Sequence, residues 1–300
     1  MATMQSLTIQ PDEAVLTTLE FLQRRIPAAP AAYLRQLLKN GKISGDQGPL
    51  RATDRLRAGT TVQLPASGRL QELLAAPAPP PTAVEILFET REILVVAKPA
   101  GLAMHAGVGH EDDHLSGRVN ALLKARGNRF MVAPVQRLDL DTSGPVLFGK
   151  GKSACAELGR LFMRHDVEKD YLALVSGQLR GELYAGQTLT SVIPAKGKTK
   201  EATTSFRVLG RSPAATLLEL RIHSGRQHQI RRQLADLGHP LYGDHRYRGP
   251  CPEGLPRLFL HCRRLAFNDP FNGAPLDFTQ PLPADLKIFL DTIVPAAALP

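Results

Sequence analysis

The first third of the chain carries one clear helical pattern followed by short strand-like pieces. In AAYLRQLLKNGKI the apolar positions recur every three or four residues, and Asn40-Gly41 ends the run, which predicts a helix. The next stretch, GDQGPLRATDRLRAGTTVQL, alternates short apolar runs with glycines, which predicts short strands joined by turns. A small α/β unit is therefore expected before residue 75.

Beyond residue 83, strand-like apolar runs alternate irregularly with single amphipathic helices. The predicted strands lie in EILFETREILVVAK, PVLFG, YLALVSG, SFRVLG and ATLLELRI. The predicted helices lie in LSGRVNALLKAR, SACAELGRLFMRH and HQIRRQLADLG, the last closed by Gly238 and Pro240. Because the chain has no repeated strand–helix–strand unit and no glycine-rich phosphate loop, we expect an α+β fold. Its central sheet should be mixed and mainly antiparallel, with flanking helices and a cleft.

A proline-rich segment separates these two patterns. AAPAPPPTA, from Ala75 to Ala83, cannot propagate a helix or a sheet through its prolines and is typical of a stiff, extended linker. The sequence therefore predicts a small N-terminal domain over 1–74, a linker over 75–83 and a larger domain over 84–300.

Composition and charge narrow the functional class only in part. The chain is 43% hydrophobic and 22% charged, with a formal net charge of +9 and a sequence pI of about 9.7. This positive excess favours polyanionic partners, although charge alone is not diagnostic. The first residues lack the pattern of a signal peptide, and no run approaches the ~20 apolar residues that cross a bilayer. We expect a cytoplasmic monomer without a membrane partner.

The cysteines and histidines give no sign of a metal site. The three cysteines lack paired spacing, so reduced thiols are expected rather than a disulfide framework or zinc ligands. Four histidines in the second half lack the spacing of metal ligands: His223, His228, His239 and His245. We expect no bound metal.

The segment VQRLDLDTSG, from Val135 to Gly144, is the strongest candidate for chemistry. It places charged and polar residues between two predicted strands, where a scaffold often presents reactive groups. An extended backbone would direct Asp139 and Asp141 to the same side. By itself, either aspartate is more often a turn cap or a surface ion pair than a catalytic group.

Several motifs together resemble the RluA-like family of RNA pseudouridine synthases. They occur in the family's order over residues 84–288: VAKPAGLAMH, Arg137-Leu138-Asp139 with Thr142-Ser143-Gly144, EKDYLALVSG, SGRQHQIRRQLADLGHPLYGD, and RLFLHCRRLAF with PLPAD. The resemblance implies the pseudouridine synthase fold and an RNA-modifying isomerase. It assigns Asp139 to the essential aspartate, Tyr171 to the active-site tyrosine and Arg231 to the arginine beside the aspartate. Arg137 matches an arginine that helps to displace the target nucleotide.

Residues 14–65 loosely resemble the RNA-binding domain of the ribosomal-protein-S-four type. The resemblance rests on the basic helix, a Gly-Lys-Ile turn and an Arg-Ala-Gly-Thr turn. Arg35, Lys39 and Lys42 are its candidate RNA contacts, although these charges could equally solvate one face. A second basic segment, PAKGKTKEATT, contributes three more candidate contacts, or else a solvated hairpin tip: Lys196, Lys198 and Lys200.

The implied reaction breaks the bond from uracil N1 to the ribose, turns the base and rejoins it through C5. Since it needs no redox change or external group, we expect no cofactor. Asp139 could attack the anomeric carbon or take a ribose proton and start an elimination, and the sequence leaves both routes open. The resemblance implies large-subunit ribosomal RNA as the first candidate substrate, because an appended RNA-binding domain in this family usually accompanies action on ribosomal RNA, and tRNA is still open.

Some residues depart from the family pattern. Gln136 stands where a histidine is usual, Ser224 where threonine is common, Arg232-Gln233 where Val-His is typical, and Asn268-Asp269-Pro270 where His-Pro is usual. The expected aspartate, tyrosine and arginine are all retained, so activity is predicted and substrate preference is left open. Two alternatives are kept: a catalytically silent RNA-binding factor, and a glycosidase that releases free uracil.

Overall fold

In the computed structural model the chain forms two compact units. The structure describes residues 5–14, 16–26, 28–29, 31–75, 84–107, 110–111, 113–179, 185–195, 198–295 and 299. The first unit comprises Met1–Ala83 together with His105–Asp112, and the second comprises Val84–Met104 and Asp113–Pro300. Most of the predicted linker, residues 76–83, lies outside the described residues. None of the described helices is both long and apolar enough to span a bilayer.

The first unit packs three helices against a four-stranded sheet. The helices are α1 (Thr18–Arg25), α2 (Ala31–Lys39) and α3 (Gly68–Ala75), with a short 3-10 helix at Pro11–Glu13. The strands are β1 (Gln5–Thr8), β2 (Ser44–Gly45), β3 (Gly48–Pro49) and β4 (Thr61–Leu64), in the antiparallel order β1-β4-β2-β3.

The helix predicted in AAYLRQLLKNGKI is confirmed as α2. Its apolar face is buried at Leu34, Leu37 and Leu38, which join the same core as Phe21 of α1 and Val62 of β4. Helices α1 and α3 were not predicted from the sequence, and α3 ends at Ala75, where the linker was predicted to begin.

The second unit contains ten strands and four helices among its described residues. The strands are β5 (Glu85–Glu89), β6 (Ile93–Lys98), β7 (Val132–Pro134), β8 (Gly144–Lys150), β9 (Glu168–Ser176), β10 (Ala185–Ala195), β11 (Lys198–Arg211), β12 (Ala215–Ile222), β13 (Leu260–Asn268) and β14 (Pro275–Thr279). The helices are α4 (Leu115–Ala125), α5 (Lys152–Arg164), α6 (Gln229–Asp236) and α7 (Ala284–Ile293).

The predicted α+β fold class is confirmed. The strands of the second unit form a six-stranded sheet, β10-β11-β12-β9-β13-β14, and a four-stranded sheet, β5-β6-β8-β7. All pairings between these strands are antiparallel. An isolated parallel bridge, Ser143 to His261, joins the start of β8 to β13. The residues just before β8 therefore lie where the two sheets meet, and these are the residues of the candidate motif.

Strand β9 lies between β12 and β13 and is buried on both faces. Tyr171 and Ala173 project into the core shared with the four-stranded sheet, while Leu174 packs beneath α7. Both faces are covered, so the strand is apolar from Tyr171 to Val175 and its tyrosine is held rigidly.

Gly144 allows the close approach of the two sheets. Its φ is +133°, and a Cβ there would lie 2.1 Å from the backbone oxygen of Cys262. Gly151 is a matched control, because its φ is also positive at +94° but an added Cβ would meet nothing within 4 Å. We expect Gly151→Ala to lower the free energy of unfolding by about 1 kcal/mol, the cost of the backbone conformation alone.

For Gly144→Ala we expect a further loss of about 2 kcal/mol, because the backbone of β13 must also move. Urea denaturation of both variants measures the difference. Equal losses in the two variants would contradict a tight contact at Gly144.

Candidate active site

A cavity of about 510 Å³ opens in the second unit beside the VQRLDLDTSG segment. Its walls are formed mainly by residues 135–142, the end of α5 with the start of β9, and residues 225–231 at the start of α6, and Ile222 and Leu260 complete them. The predicted residues Arg137, Asp139, Tyr171 and Arg231 all line it. The sequence motifs that are far apart along the chain therefore meet at one concave site.

Asp139 faces this cavity because the backbone turns immediately after it. The amide of Thr142 donates to the carbonyl oxygen of Asp139 at 3.1 Å, which closes a turn over 139–142. The Asp139 side chain is 16% exposed, whereas Asp141 is exposed to solvent. Alternation would place both aspartates on one side only in an extended backbone, and this condition does not hold because the chain turns at residues 139–142.

Arg231 joins Asp139 to a second, fully buried carboxylate. Its Nη1 donates to Asp139 Oδ2 at 3.2 Å. Its Nε and Nη2 donate to the two oxygens of Asp244 at 2.6 and 2.8 Å, and the Asp244 side chain is 0% exposed. Burial lowers the pKa of Arg231, but the hydrogen bonds that it donates to Asp244 and Asp139, together with their negative charges, outweigh burial and raise the pKa. The guanidinium is therefore permanently charged and is held by Asp244 in the orientation that reaches Asp139.

His228 forms the other side of the pocket around Asp139. It caps α6 in the left-handed backbone region, with φ 54°, and its Nε2 lies 3.8 Å from Asp139 Oδ2. Its Nδ1 lies 3.2 Å from the Tyr247 hydroxyl, and the Tyr247 ring lies under the Arg231 guanidinium, 5.4 Å from Cζ to the centroid. Burial lowers the pKa of His228, which favours the neutral ring.

Tyr171 contributes a buried aromatic ring to the cavity wall. Its side chain is part of the core, with 6% of the residue exposed. Burial, reinforced by Cys262, raises its pKa well above the ordinary value. The phenol is therefore neutral near pH 7 and offers an apolar face with one hydrogen-bonding group.

Lys98 anchors the turn that carries Asp139 from beneath. Its ammonium donates to the carbonyl oxygens of Pro99, Leu140 and Thr142 at 2.9, 2.8 and 2.8 Å, and the residue is 1% exposed. Two of these acceptors flank Asp141 in the turn. An ammonium has three N–H donors, and each donor of Lys98 has one of these carbonyl oxygens as its acceptor.

We expect this buried lysine to make stability depend on pH. Burial lowers the pKa of Lys98 from its ordinary value of 10.5 to about 7, with Asp141 and Asp139 opposing that shift and Arg257 adding to it. Between these two values the unfolded chain binds a proton that the folded chain lacks, so the free energy of unfolding rises with pH. Below about pH 7 both states are protonated and this slope vanishes.

The Lys98→Met variant lacks this contribution, so its stability should rise less from about pH 7 to about pH 9.5. Urea denaturation of both proteins at the two pH values measures the difference in slope. Parallel pH dependence in wild type and variant would contradict the assignment.

A second set of contacts holds the same turn from the C-terminal side. Arg257 donates to the Asp141 carbonyl at 3.2 Å and to Ser143 Oγ at 3.2 Å. Ser143 Oγ also lies 2.9 Å from His261 Nδ1, and Arg257 pairs with Asp285 at the start of α7 at 2.7 Å. Burial lowers the pKa of His261 to about 4, so it is neutral near pH 7. The turn is therefore fixed by two independent polar networks.

Two residues that depart from the family pattern have clear structural partners. Gln233 accepts from the Thr204 hydroxyl at 2.7 Å and donates to the Leu189 and Ala202 carbonyls at 3.2 and 2.9 Å. It thereby fixes α6, which carries Arg231, to strands β10 and β11. Gln136 donates to the Pro145 carbonyl at 3.1 Å and lines the cavity.

The predicted RNA contacts fall in different environments. Arg137 is exposed at the cavity, Lys200 is exposed on β11, and Lys39 and Lys42 are exposed in the first unit. Arg35 pairs with Glu111 of the same unit at 2.6 Å, so part of its charge is neutralised. Lys196 lies outside the described residues, and for Lys198 the structure describes the backbone only, paired with Ala195 in the β10–β11 hairpin.

The motifs quoted from the sequence contain Lys98, Lys169, His228 and Asp244, but only His228 was considered for a role, as a metal ligand. Tyr247 lies outside those motifs. Within the described part of the chain, no three His, Cys, Asp or Glu side chains are grouped so as to hold a metal ion. Asp244 follows Arg231 in the same motif, and an acidic residue shortly after a motif arginine is the only signal that could have indicated their pairing.

Comparison with known proteins agrees with the geometry. Residues 92–236 match the family described as RNA pseudouridylate synthase. The chain is 33% identical over 312 residues to the ribosomal large subunit pseudouridine synthase C of Pasteurella multocida, covering 96% of this chain and 93% of that protein. It is 31% identical over 324 residues to the ribosomal large subunit pseudouridine synthase D of Zymomonas mobilis, covering 95% and 98%.

A solved structure supports the fold. Human RNA pseudouridylate synthase domain containing 4 superposes with a TM-score of 0.55 at 21% identity, covering 69% of this chain and 91% of that one. This structure supports the fold alone, whereas the sequence relatives align over nearly the whole chain and therefore support the family. This chain belongs to the RNA pseudouridylate synthase family, and its motifs are those of the RluA-like members.

Proposed function

We propose that the protein converts uridines of large-subunit ribosomal RNA into pseudouridine, with Asp139 as the reacting group. The observation that carries this proposal is the Asp139 carboxylate, which projects into the cavity beside Arg231 at 3.2 Å. The relatives named as ribosomal large subunit pseudouridine synthases favour this class of RNA over tRNA.

Asp139 suits either route to the product. As a nucleophile it bonds to ribose C1′ while the bond from C1′ to uracil N1 breaks, and as a base it takes a ribose proton during elimination. In both routes the uracil then turns and bonds through C5. Arg231, fixed by Asp244, stabilises the ionised carboxylate and holds it in one orientation.

The cavity also fits the requirement that water be kept away from the reacting sugar. Asp139 and Arg231 are 16% and 13% exposed even without RNA, and a bound nucleotide would cover them further. Water at C1′ would convert isomerisation into loss of the base. Tyr171 presents a neutral aromatic ring, against which a base taken out of its stack can lie.

We propose further that residues 1–74 form an RNA-binding domain of the ribosomal-protein-S-four type, joined by the linker at 75–83 to a catalytic domain over 84–300. The exposed side chains of Lys39 and Lys42 support phosphate contacts by α2 and the turn after it. On the catalytic domain, Arg137 would help to displace the target nucleotide, and Lys196, Lys198 and Lys200 would contact neighbouring phosphates. The protein would act as a monomer.

Mapping pseudouridines in cellular RNA tests the proposed function. Ribosomal RNA and tRNA from cells with and without this protein are compared, and purified protein is then incubated with transcripts of each RNA. We expect one or more pseudouridines to be missing from large-subunit ribosomal RNA without the protein, and to be restored in the matching transcript. If a pseudouridine were missing from tRNA alone, tRNA would be the substrate, and the proposed reaction would be unchanged.

The same experiment separates the two alternatives. A silent RNA-binding factor would leave every uridine unchanged in the transcripts. A base-releasing glycosidase would yield free uracil and an abasic ribose, which chromatography distinguishes from pseudouridine. Either result would remove the proposed function.

A further inference from the structure

Lys169 is a buried cation on the wall of the active-site cavity. It lines the cavity and is 9% exposed, and burial lowers its pKa. Among the described residues, none offers its ammonium a carboxylate or a hydrogen-bond acceptor. Its ammonium lies over the Phe162 ring, 5.4 Å from Nζ to the centroid. Because buried charges in proteins are almost always paired, a ligand is the expected source of its partner.

The position of Lys169 relates it to Tyr171. Both belong to β9, and residues two apart in a strand project from the same face, about 7 Å apart along the chain. Asp170 projects from the opposite face, where it pairs with Arg221 at 2.6 Å and with Arg264 at 3.3 Å. Glu168, the other neighbour in sequence, pairs with Arg264 at 2.6 Å and with Arg221 at 3.2 Å. Both carboxylates adjacent in sequence are therefore occupied elsewhere, and the lysine is left facing the cavity.

We propose that Lys169 binds the uracil of the flipped nucleotide and neutralises the negative charge that develops on the base when its bond to the ribose breaks. This inference rests on the proposed function. Asp139 acts at the ribose and Tyr171 covers the ring, while Lys169 lines the same cavity two residues from Tyr171 in β9. A base that enters this cavity directs its ribose toward Asp139 and its far edge, with O4, toward the ammonium.

The chemistry requires such a charge in either route. When the C1′–N1 bond breaks, its electron pair passes to the uracil and is shared between O2 and O4. Once C5 has bonded to C1′, C5 loses its proton to solvent and N1 gains one, so the composition is unchanged. A cation in a site that excludes water stabilises the intermediate anion far more than one in bulk solvent.

A backbone phosphate is the other oxygen anion that RNA could supply. Phosphates flank the flipped nucleotide and stay with the RNA strand at the mouth of the cavity, where exposed Arg137 can meet them. A lysine that is nine-tenths buried is better placed for the inserted base. The two sources differ in what they control, since a phosphate contact governs RNA affinity and a contact to the departing base governs the chemical step.

The test compares Lys169→Met, Lys169→Arg and the control Lys152→Met, in which an exposed lysine of α5 is changed. The substrate is a large-subunit ribosomal RNA transcript labelled with tritium at uridine C5, and tritium release gives kcat. We expect Lys169→Met to lose about 100-fold or more in kcat, with its Kd for the transcript changed by less than about 3-fold. Lys169→Arg should recover part of the loss, and Lys152→Met should match wild type.

Thermal unfolding checks that the variants are folded. Because Lys169→Met removes an unpaired buried charge, its melting temperature should equal or exceed that of wild type. A second substrate tests the role of the charge on the uracil. In a transcript that carries 5-fluorouridine, the fluorine stabilises the anion of the departing uracil, so less stabilisation by Lys169 is needed. The defect of Lys169→Met in cleavage of the glycosidic bond should therefore be smaller with this transcript.

Two outcomes would overturn the inference. A weakened Kd with a lower salt dependence and an unchanged kcat would identify a phosphate contact instead. Full activity and affinity in folded Lys169→Met would show that no ligand needs the charge. Either result, obtained while wild type makes pseudouridine and Asp139→Asn does not, leaves the proposed function standing. An inactive wild-type protein would instead remove the proposed function itself.

Discussion

Replacing Asp139 with asparagine is expected to reduce pseudouridine formation by at least about 10⁴-fold, the loss typical of removing the central group of a catalytic site. Asparagine has nearly the same shape and still accepts a hydrogen bond from Arg231, so the cavity should persist. It can neither attack C1′ as a carboxylate nor take a ribose proton. RNA affinity should change little, because most of the binding energy comes from phosphate contacts elsewhere. Tritium release from C5-labelled transcripts and a filter-binding titration measure the two quantities.

Asp141→Asn is the matched control for this experiment. It removes the same charge two residues away, on a side chain that is exposed to solvent. We expect it to retain activity within about 10-fold of wild type, since a surface charge contributes little to a local barrier. Rapid turnover by Asp139→Asn, or an equal loss in both variants, would contradict the assignment of Asp139.

Replacing Asp244 with asparagine is expected to lower the free energy of unfolding by about 3 kcal/mol, because it leaves the Arg231 guanidinium without its main counter-charge. Asp244 is 0% exposed and accepts hydrogen bonds from both Nε and Nη2 of Arg231. It also accepts the backbone amide of Tyr247 at 3.1 Å. Once released, the guanidinium no longer holds Asp139 in one orientation, and a shift of about 1 Å at a reacting group can cost about 10²-fold in kcat. Urea denaturation and tritium release measure both effects.

Asp291→Asn serves as the control for charge removal. Asp291 pairs with Lys287 on the surface of α7, and its side chain is 54% exposed. We expect less than about 0.5 kcal/mol of destabilisation and no change in kcat, as for ordinary surface ion pairs. Wild-type stability in Asp244→Asn would show that Arg231 does not depend on its buried partner.

The resemblance identified three cavity residues from the sequence but not the contacts among them. Asp139, Tyr171 and Arg231 were each assigned by position within a motif, and they meet at one cavity. Their spacing along the chain carries no distance information, so the hydrogen bond from Arg231 to Asp139 and its dependence on Asp244 could not be read from the sequence. The turn at residues 139–142 could not be read from the sequence either, and alternation holds only while the backbone stays extended.

The sequence by itself determined the α+β class and most of the elements of the second unit. It did so because strand and helix periods are local properties that follow from which residues must be buried. It also determined the family, since several motifs in a fixed order carry more information than any one of them.

Only the tertiary structure decided which charges are shielded from water. Lys98 and Lys169 look alike in the sequence, yet Lys98 meets three carbonyl oxygens while Lys169 faces the cavity. The burial of a charge and the identity of its partner depend on groups brought together from distant segments. The burial that lowers the pKa of these two lysines is therefore a property of the fold, and it cannot be predicted from the local sequence.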